Sequence, residues 1–420
     1  MLKKLCSVLL VVMLVAIAGQ SVLHAQEPVT ITWLEWWEPE YGKDVMNELT
    51  SRFEAQTGIH VERTTVPWTN MYDLLLTNAQ AGTATYDVLG MEACCFLTGI
   101  DKLGGLEDLT PYLERDAEFA STLTGMTPVY WRGTIPELNW YIFPYSYVYN
   151  VRVFEEAGVE PPTSWAEMVE VTKQISEAGV VDYAFGEGFA GDIHHVTYYL
   201  FGSRLAQLGG RMLDENGRAV FNSPEGVAAL QSWKDFYDMG LFMPGAIGMM
   251  TADAREALAA ETTAAMYDGP FAQVIASQIN PDIRLAFAPA WNDVTGGYVW
   301  AGSGLSISSN SRHKEEAWEF VKFLLSEEIS VWLTEKNSIP YATNAAVALL
   351  EESEDPILRE IPAMLNQDPE HNFQLNPIPE QESLHREFVA MFQEVMAGNL
   401  DPQEGLDRVA AMWNEVIDAQ

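Results

Sequence analysis

Residues 28–66 read PVTITWLEWWEPEYGKDVMNELTSRFEAQTGIHVERTTV, and their strand–helix–strand order indicates the class of fold. The first ten residues alternate between apolar and polar side chains, which predicts a β-strand. The following segment places Val45, Leu49 and Phe53 on one helical face, and Gly58 is typical of a residue that ends a helix. The last seven residues, HVERTTV, predict a second strand.

The same order continues toward the middle of the chain. MYDLLLTNAQAG predicts a second helix and YDVLGM a third strand, so the β-α-β-α-β order predicts an α/β fold with a largely parallel sheet. Residues 141–150, YIFPYSYVYN, form an extended aromatic run in which Pro144 disfavours a central strand, and we interpret the run as a crossover between two domains. Helices then resume. One opens with Ser164 and Glu167 spaced as a capping box and closes at Gly179, and another has Pro224 at its first position.

The N-terminus predicts export. Lys3 and Lys4 precede an apolar run, and a small residue, Ala25, closes the segment, so residues 1–25 are interpreted as a signal peptide. The alternative, an uncleaved membrane anchor, needs a longer apolar run. Because Cys6 precedes the run, we expect no lipid anchor. The predicted mature protein is soluble and extracytoplasmic (periplasmic).

The composition narrows the class of partner. The chain has 420 residues, which suits two domains, and 48% hydrophobic residues, which excludes a disordered chain. A net charge of −37 argues against nucleic acid and anionic lipid as partners. The 13 Trp and 16 Tyr residues suit ligands that present both apolar faces and hydroxyl groups, although packing accounts for most of them.

Signatures of catalysis, cofactors and metals are weak in this sequence. GEGFAG, residues 186–191, matches the dinucleotide fingerprint, but the first strand–helix turn lacks these glycines, so we expect no cofactor. Glu35 and Glu38 could be the paired acids of a glycoside hydrolase. His194 and His195 are adjacent and do not share a helix face, and we expect no metal site. The prediction is a binding protein rather than an enzyme.

Five phrases in order resemble the extracytoplasmic sugar-binding proteins of ABC importers, the family of maltose- and glucose-binding proteins. The resemblance covers essentially the whole mature chain. The phrases are ITWLEWW followed by LTSRFEAQTGIHVE, YVYNVRVFEEAGVEPPTSWAEMVE, ETTAAMYDGPFA, AGSGLSISSNSRHKEEAWEFVKFLLSEE and NSIPYATNAA. The third phrase has Phe271 where the family more often has Trp.

The resemblance implies a two-lobed, type II periplasmic-binding-protein-like α/β fold with a ligand cleft between the lobes. Lobe 1 would take residues 26–142 with 299–337, and lobe 2 would take residues 143–298 with 338–420. The implied function is hinged capture of a neutral sugar by a monomer, which then delivers it to the membrane subunits and ATPase of an ABC permease. An amino sugar or another cationic solute is the alternative ligand, because many of the candidate residues are acids. No basic residues converge on the predicted ligand loops, which argues against a glycerol-phosphate ligand.

The resemblance also implies which residues contact the ligand. They follow the first and third strands, lie in the crossover, or stand on the second-lobe loops and the returning segments. They are Trp36, Trp37, Glu38, Glu92, Tyr145, Glu187, Asp268, Phe271, Trp300 and Asn337. For the tryptophan pair, the alternative is that one ring belongs to the core.

Cys94 and Cys95 stand side by side directly after the third strand. In an exported protein such a pair can form a vicinal disulfide, and the alternative is two reduced, buried thiols. Such a small ring encloses almost no chain and would stabilise the fold little. We therefore expect a local role, a stiff turn that holds Glu92 at the wall of the cleft.

Overall fold

The computed structural model describes residues 29–190, 194–269, 271–288, 298–337, 341–353, 359, 361–362, 372–374 and 377–419. The predicted signal peptide lies outside the described residues. Within them, no helix has both the length and the apolar composition needed to cross a membrane.

The strands of the described residues form two sheets. Their bounds are β1 Thr30–Glu35, β2 His60–Thr65, β3 Val88–Met91, β4 Pro128–Trp131, β5 Thr134–Pro144, β6 Ser146–Asn150, β7 Tyr183–Phe185, β8 Thr263–Asp268, β9 Leu285–Ala288, β10 Tyr298–Ile307 and β11 Asn372–Gln374.

The first sheet has the strand order β2-β1-β3-β10-β5-β4, and β11 pairs with β10. β1 runs parallel to β2 and β3, as predicted, but β10 enters between β3 and β5 antiparallel to both. The prediction of a largely parallel sheet was therefore wrong for this sheet, which is mixed. The physical reason is that β10 returns from a distant part of the chain, and local periodicity carries no information on its direction.

The second sheet has the order β7-β8-β6-β9. The aromatic run at residues 141–150 joins the two sheets, because β5 ends in the first sheet and β6 begins in the second only two residues later. The crossover prediction is confirmed. The run is nevertheless strand on both sides, and Pro144 is tolerated because it is the last residue of β5, opposite Trp300 of β10.

Helices cover both sheets. The α-helices are α1 Glu38–Tyr41, α2 Lys43–Thr57, α3 Met71–Gln80, α4 Leu97–Asp101, α5 Thr110–Arg115, α6 Ala117–Ala120, α7 Val151–Ala157, α8 Trp165–Ala178, α9 Ser203–Gln207, α10 Pro224–Asp238, α11 Thr251–Ala259, α12 Phe271–Ile279, α13 Lys314–Leu324, α14 Glu327–Asn337, α15 Asn344–Leu350, α16 Gln381–Met396 and α17 Pro402–Asp418. A π-helical segment, His195–Gly202, precedes α9.

Local signals account for several of these helix ends. The Ser164 hydroxyl accepts a hydrogen bond from the Glu167 backbone N–H at the start of α8, as an N-cap does. Gly58 and Gly179 follow α2 and α8 with φ of 75° and 64°, a left-handed conformation that glycine adopts without strain. Pro224 opens α10 as predicted. These ends depend on neighbouring residues alone, which explains why the sequence predicts them.

The C-terminal part of the chain is shared between the two lobes. The Ala342 backbone N–H donates to the Trp140 carbonyl at 3.0 Å, and β11 extends the first sheet. By contrast, α16 and α17 pack on each other and on α10. Residues 341–343 and 372–374 therefore contact the first sheet, and the lobe boundary at residue 338 remains a prediction.

Candidate functional site

The turn after β1 is organised around the buried carboxylate of Glu35. It accepts hydrogen bonds from the backbone N–H groups of Trp37 (2.5 Å) and Glu38 (3.0 Å), and it pairs with Arg63 at 2.8 Å. The Thr65 hydroxyl donates to the same carboxylate. Glu35 has no exposed surface, so it holds the turn together instead of facing a substrate. Glu38 is partly exposed and pairs with the same Arg63.

The two tryptophans of this turn belong to the core of lobe 1. Trp36 is 3% exposed and packs on Trp37 with ring centroids 4.4 Å apart. Trp37 has no exposed surface, and its indole N–H donates to the Tyr141 hydroxyl at 3.2 Å. Neither ring has a free face for stacking in this conformation, so the core interpretation applies to both.

Glu40 and Glu92 are both partly buried, and their carboxylates are near enough to repel each other. Glu92, which follows β3, accepts hydrogen bonds from the Ser303 hydroxyl at 2.7 Å and the Trp68 indole at 3.1 Å. Glu40 accepts a long bond from the Tyr141 hydroxyl, 3.4 Å. Two carboxylates of lobe 1 therefore lie close to each other.

Lobe 2 contributes an ion pair to the same region. The Arg255 guanidinium donates to both carboxylate oxygens of Asp268, at 2.6 and 2.9 Å. Asp268 ends β8 and is fully buried, while Arg255 lies on α11 and is partly exposed. Arg255 is close enough to Glu40 to oppose the rise in its pKa. The carboxyl ends of strands from both sheets thus meet here, where ligands bind in folds of this kind.

The surroundings of Glu40 change the pKa of its carboxyl group. Burial raises the pKa of Glu40 to about 8, repulsion by Glu92 adds to the rise, and Arg255 opposes it. Since the folded state then binds a proton that the unfolded state has released, stability falls as pH rises from about 4.5 to about 8.

We expect Glu40→Gln to remove this loss of stability. The melting temperature of the variant should equal that of the wild type near pH 4.5 and exceed it by several degrees at pH 8.5. Thermal melts across this pH range measure the difference. Glu62→Gln, on the exposed face of β2, is the matched control and should show no pH-dependent difference. A Glu40→Gln difference that does not change with pH would contradict the prediction.

Tyr145 and Glu187 have protein partners. The Tyr145 ring stacks on Tyr199 of the π-helical segment, with centroids 3.2 Å apart and planes 10° apart. Glu187 is fully buried and contacts His195 Nε2 at 2.8 Å and the Tyr267 backbone N–H at 2.7 Å. Burial raises the pKa of Glu187, and His195 opposes the rise. Glu187 therefore ties the π-helical segment to β8.

The remaining predicted site residues separate into two groups. Trp300 is fully buried in a small core cluster with Leu350 and Ile361. Phe271 begins α12 and Asn337 ends α14, but their side chains lie outside the described residues. Their roles in ligand binding remain predictions.

The sulfur atoms of Cys94 and Cys95 are bonded to each other in the structure, and the oxidised state in solution remains a prediction. Cys94 Sγ lies 4.0 Å from the Tyr199 hydroxyl, so the pair contacts lobe 2. The sequence offered no ligand partner for these cysteines. The structure places His194 beside them, with its ligand atom and both sulfurs within 4.8 Å of one another.

Sequence reasoning missed Glu40, Arg255, Ser303 and Trp68. Glu40 stands in the same WLEWWEPEY turn as the predicted residues, and its position near their acids could have suggested it. Arg255 and Ser303 carry no local signal, because they reach the site through strand pairing and helix packing between distant parts of the chain.

Comparisons with known proteins agree with this architecture. The family model described as bacterial extracellular solute-binding protein matches residues 37–330. A putative binding protein of Brucella abortus (strain 2308) is 25% identical over 321 residues, 74% of this chain and 76% of the relative.

Two solved structures are also similar. An ABC transporter solute-binding protein of Thermotoga lettingae, bound with α-D-tagatose, has a TM-score of 0.80 at 25% identity and covers 93% of this chain and 100% of its own. An ABC substrate-binding protein of Listeria monocytogenes, in complex with cycloalternan, has a TM-score of 0.77 at 21% identity, with coverage of 93% and 100%. The predicted two-lobed, type II binding-protein fold is confirmed.

Proposed function

Since the chain belongs to the family of bacterial extracellular solute-binding proteins, we propose that it captures a neutral mono- to oligosaccharide and delivers it to an ABC permease. We further propose that residues 1–25 direct its export and are removed. The observation that carries the proposal is the meeting of charged side chains from both lobes at the carboxyl edges of the two sheets, and we place the ligand in the space between them. Glu40 and Glu92 border it from lobe 1, and the Arg255–Asp268 pair borders it from lobe 2.

The chemistry of this space suits a polyhydroxylated ligand. Carboxylates accept hydrogen bonds from sugar hydroxyls, and a guanidinium donates to ring and hydroxyl oxygens. The neighbouring Trp68 indole and Ser303 hydroxyl hold Glu92 in one orientation. Hinge closure would exclude water and strengthen each of these polar contacts.

A sugar that carries a protonated amine is the second candidate. Two carboxylates, Glu40 and Glu92, border the space, and Arg255 already forms a bidentate pair with Asp268. An ammonium group would offset the repulsion between Glu40 and Glu92 that helps raise the pKa of Glu40.

Hydrolysis of a glycoside is less well supported. A retaining or inverting glycosidase needs two carboxyl groups that reach the bond to be cleaved. Glu35 is fully buried and its oxygens are used by Arg63, Thr65 and two backbone N–H groups. The proposal is therefore binding without turnover.

A thermal-shift screen tests the proposal. We expect a panel of D-tagatose, ribitol, D-glucose, maltose, a cyclic malto-oligosaccharide and D-glucosamine to contain a ligand that raises the melting temperature at micromolar concentration. A ligand at a hundred times its Kd stabilises a protein by about 2.7 kcal/mol. The bound sugar should be recovered intact, with no reducing ends released.

Variants assign the shift to the site. Glu92→Gln should reduce the shift produced by the same sugar, because the ligand loses a charged acceptor, whereas Glu62→Gln should leave it unchanged. A response to D-glucosamine alone would favour the amine candidate over the neutral sugar. Release of reducing ends, or the absence of any shift across the panel, would contradict capture of these sugars.

A further inference from the structure

The cysteine pair and a histidine meet where the two lobes touch. Cys94 and Cys95 follow β3 of lobe 1, while His194 immediately precedes the π-helical segment of lobe 2. All three side chains are at least 95% buried, and one potential ligand atom of each lies within 4.8 Å of the other two. Two sulfurs and an imidazole are the ligand types that zinc and similar ions prefer.

The His194 ring has an unsatisfied nitrogen. Its Nδ1 is buried and has no hydrogen-bond partner among the described residues, although a buried polar atom normally has one. Its Nε2 lies 3.7 Å from the carboxylate of Glu382. A carboxylate behind an imidazole is the arrangement that orients metal-binding histidines in known sites. The unpaired nitrogen of His194 is therefore available to a ligand.

We propose that, once the Cys94–Cys95 bond is reduced, the two sulfurs and His194 bind one divalent cation of the zinc type. Reduction by a dithiol transfers two electrons and two protons to the sulfurs, and the dithiol becomes a disulfide. Binding of the cation then releases the two thiol protons, so two thiolates balance its two positive charges. The fourth position is left for water, as in other sites with three protein ligands.

The distances allow this arrangement with a small movement. Zinc–sulfur bonds of about 2.3 Å and zinc–nitrogen bonds of about 2.0–2.1 Å, meeting at tetrahedral angles, place the ligand atoms roughly 3.6–3.8 Å apart. The present separations do not exceed 4.8 Å, and the two sulfurs, which are bonded to each other here, must move apart to reach this spacing after reduction.

The site also has a route of entry. A cavity of about 430 Å³ lies between α4 and α16 and is lined by Cys95, Glu382, Thr98 and Tyr72, among others. A reductant or a hydrated ion can approach Cys95 through this cavity. Since the ligands come from both lobes, the bound cation would hold the lobes together, which goes beyond sugar capture and does not depend on it.

Cadmium titration tests the proposal, because thiolate–cadmium bonds absorb in the ultraviolet. The full mature chain is reduced with a phosphine, which takes up oxygen from water as the disulfide is cleaved, and is titrated after the phosphine is removed. We expect one equivalent of cadmium to bind the reduced protein, to produce thiolate–cadmium absorption and to raise its melting temperature. The oxidised protein, verified by the absence of alkylated thiols, should show neither.

Variants distinguish a cation site that includes His194 from cation binding by the two thiols alone. His194→Ala and Glu382→Gln should each weaken cadmium binding, the second by about 10–100-fold, while His313→Ala, at an exposed histidine, should not. Glu382 is partly exposed, so this variant tests the site even where His194→Ala folds poorly. The proposal is overturned if reduced wild type shows no band, or if Glu382→Gln binds as tightly as wild type.

Discussion

Trp140→Ala should lower the free energy of unfolding by about 3–5 kcal/mol, the upper range for removing a large buried side chain. Trp140 has no exposed surface, and its ring packs against Trp37 and Tyr41 with centroids 4.8 and 5.5 Å away. Its indole N–H donates to the Leu324 carbonyl at 3.2 Å, and alanine leaves that acceptor unpaired. The substitution therefore opens a cavity and removes a hydrogen bond at once.

The effect should extend to the site. Because Trp140 supports Trp37, whose indole holds the Tyr141 hydroxyl beside Glu40, the cavity should loosen Glu40 as well. Urea unfolding followed by circular dichroism measures the change in stability. Tyr130→Ala, on β4 of the same sheet but 68% exposed, should change it by less than about 0.5 kcal/mol. Equal losses in the two variants would contradict the central position of Trp140.

Glu35→Ala should cost about 3–5 kcal/mol, because it breaks a buried charged network from one side. The substitution removes a carboxylate partner of Arg63, whose side chain is 10% exposed, and removes the acceptor of two backbone N–H groups. Arg63 keeps Glu38 as a second partner at 2.7 Å, which limits the loss. The turn that carries α1 and Glu40 should therefore lose its anchor.

Two measurements separate this structural role from a catalytic one. The melting temperature should fall strongly in Glu35→Ala, while Glu62→Ala, on the exposed face of the neighbouring strand β2, should remain near the wild type. If the role of Glu35 is structural, the substitution lowers the stability of the protein, and neither the wild type nor the variant hydrolyses a glycoside. A stable Glu35→Ala protein that has lost a measurable hydrolase activity would contradict our interpretation.

Local rules predicted the helices well. Ser164, Pro224, Gly58 and Gly179 act on backbone groups within a few residues, so their effects can be inferred without knowing the fold. Strand direction was predicted only where strand and helix alternate. β10 pairs antiparallel with β3 across more than 200 residues, and no local pattern specifies that pairing.

For the acidic residues of the site, too, the sequence does not show which distant residues they contact. The spacing of Glu35, Glu38 and Glu40 in one short turn shows that carboxylates gather after the first strand. It does not show which of them is used internally. Arg63, 28 residues from Glu35, forms an ion pair with its buried carboxylate. Arg255, more than 200 residues from Glu40, lies near that second carboxylate. Such distant partners determine which carboxylate is buried, and only a carboxylate that is not fully buried can contact a ligand.

For Cys94 and Cys95, the sequence predicted one property and the tertiary structure supplied another. Their adjacency, their position after the third strand and the predicted export were enough to suggest a vicinal disulfide. Only the tertiary structure brought His194 and Glu382 to the pair, from segments about 100 and 290 residues further along the chain. Sequence alone determined the class of fold and the chemistry of single turns, since both depend on periodicity and near neighbours. The packing of the two lobes decided the partners of each side chain, since those contacts form only when distant segments meet.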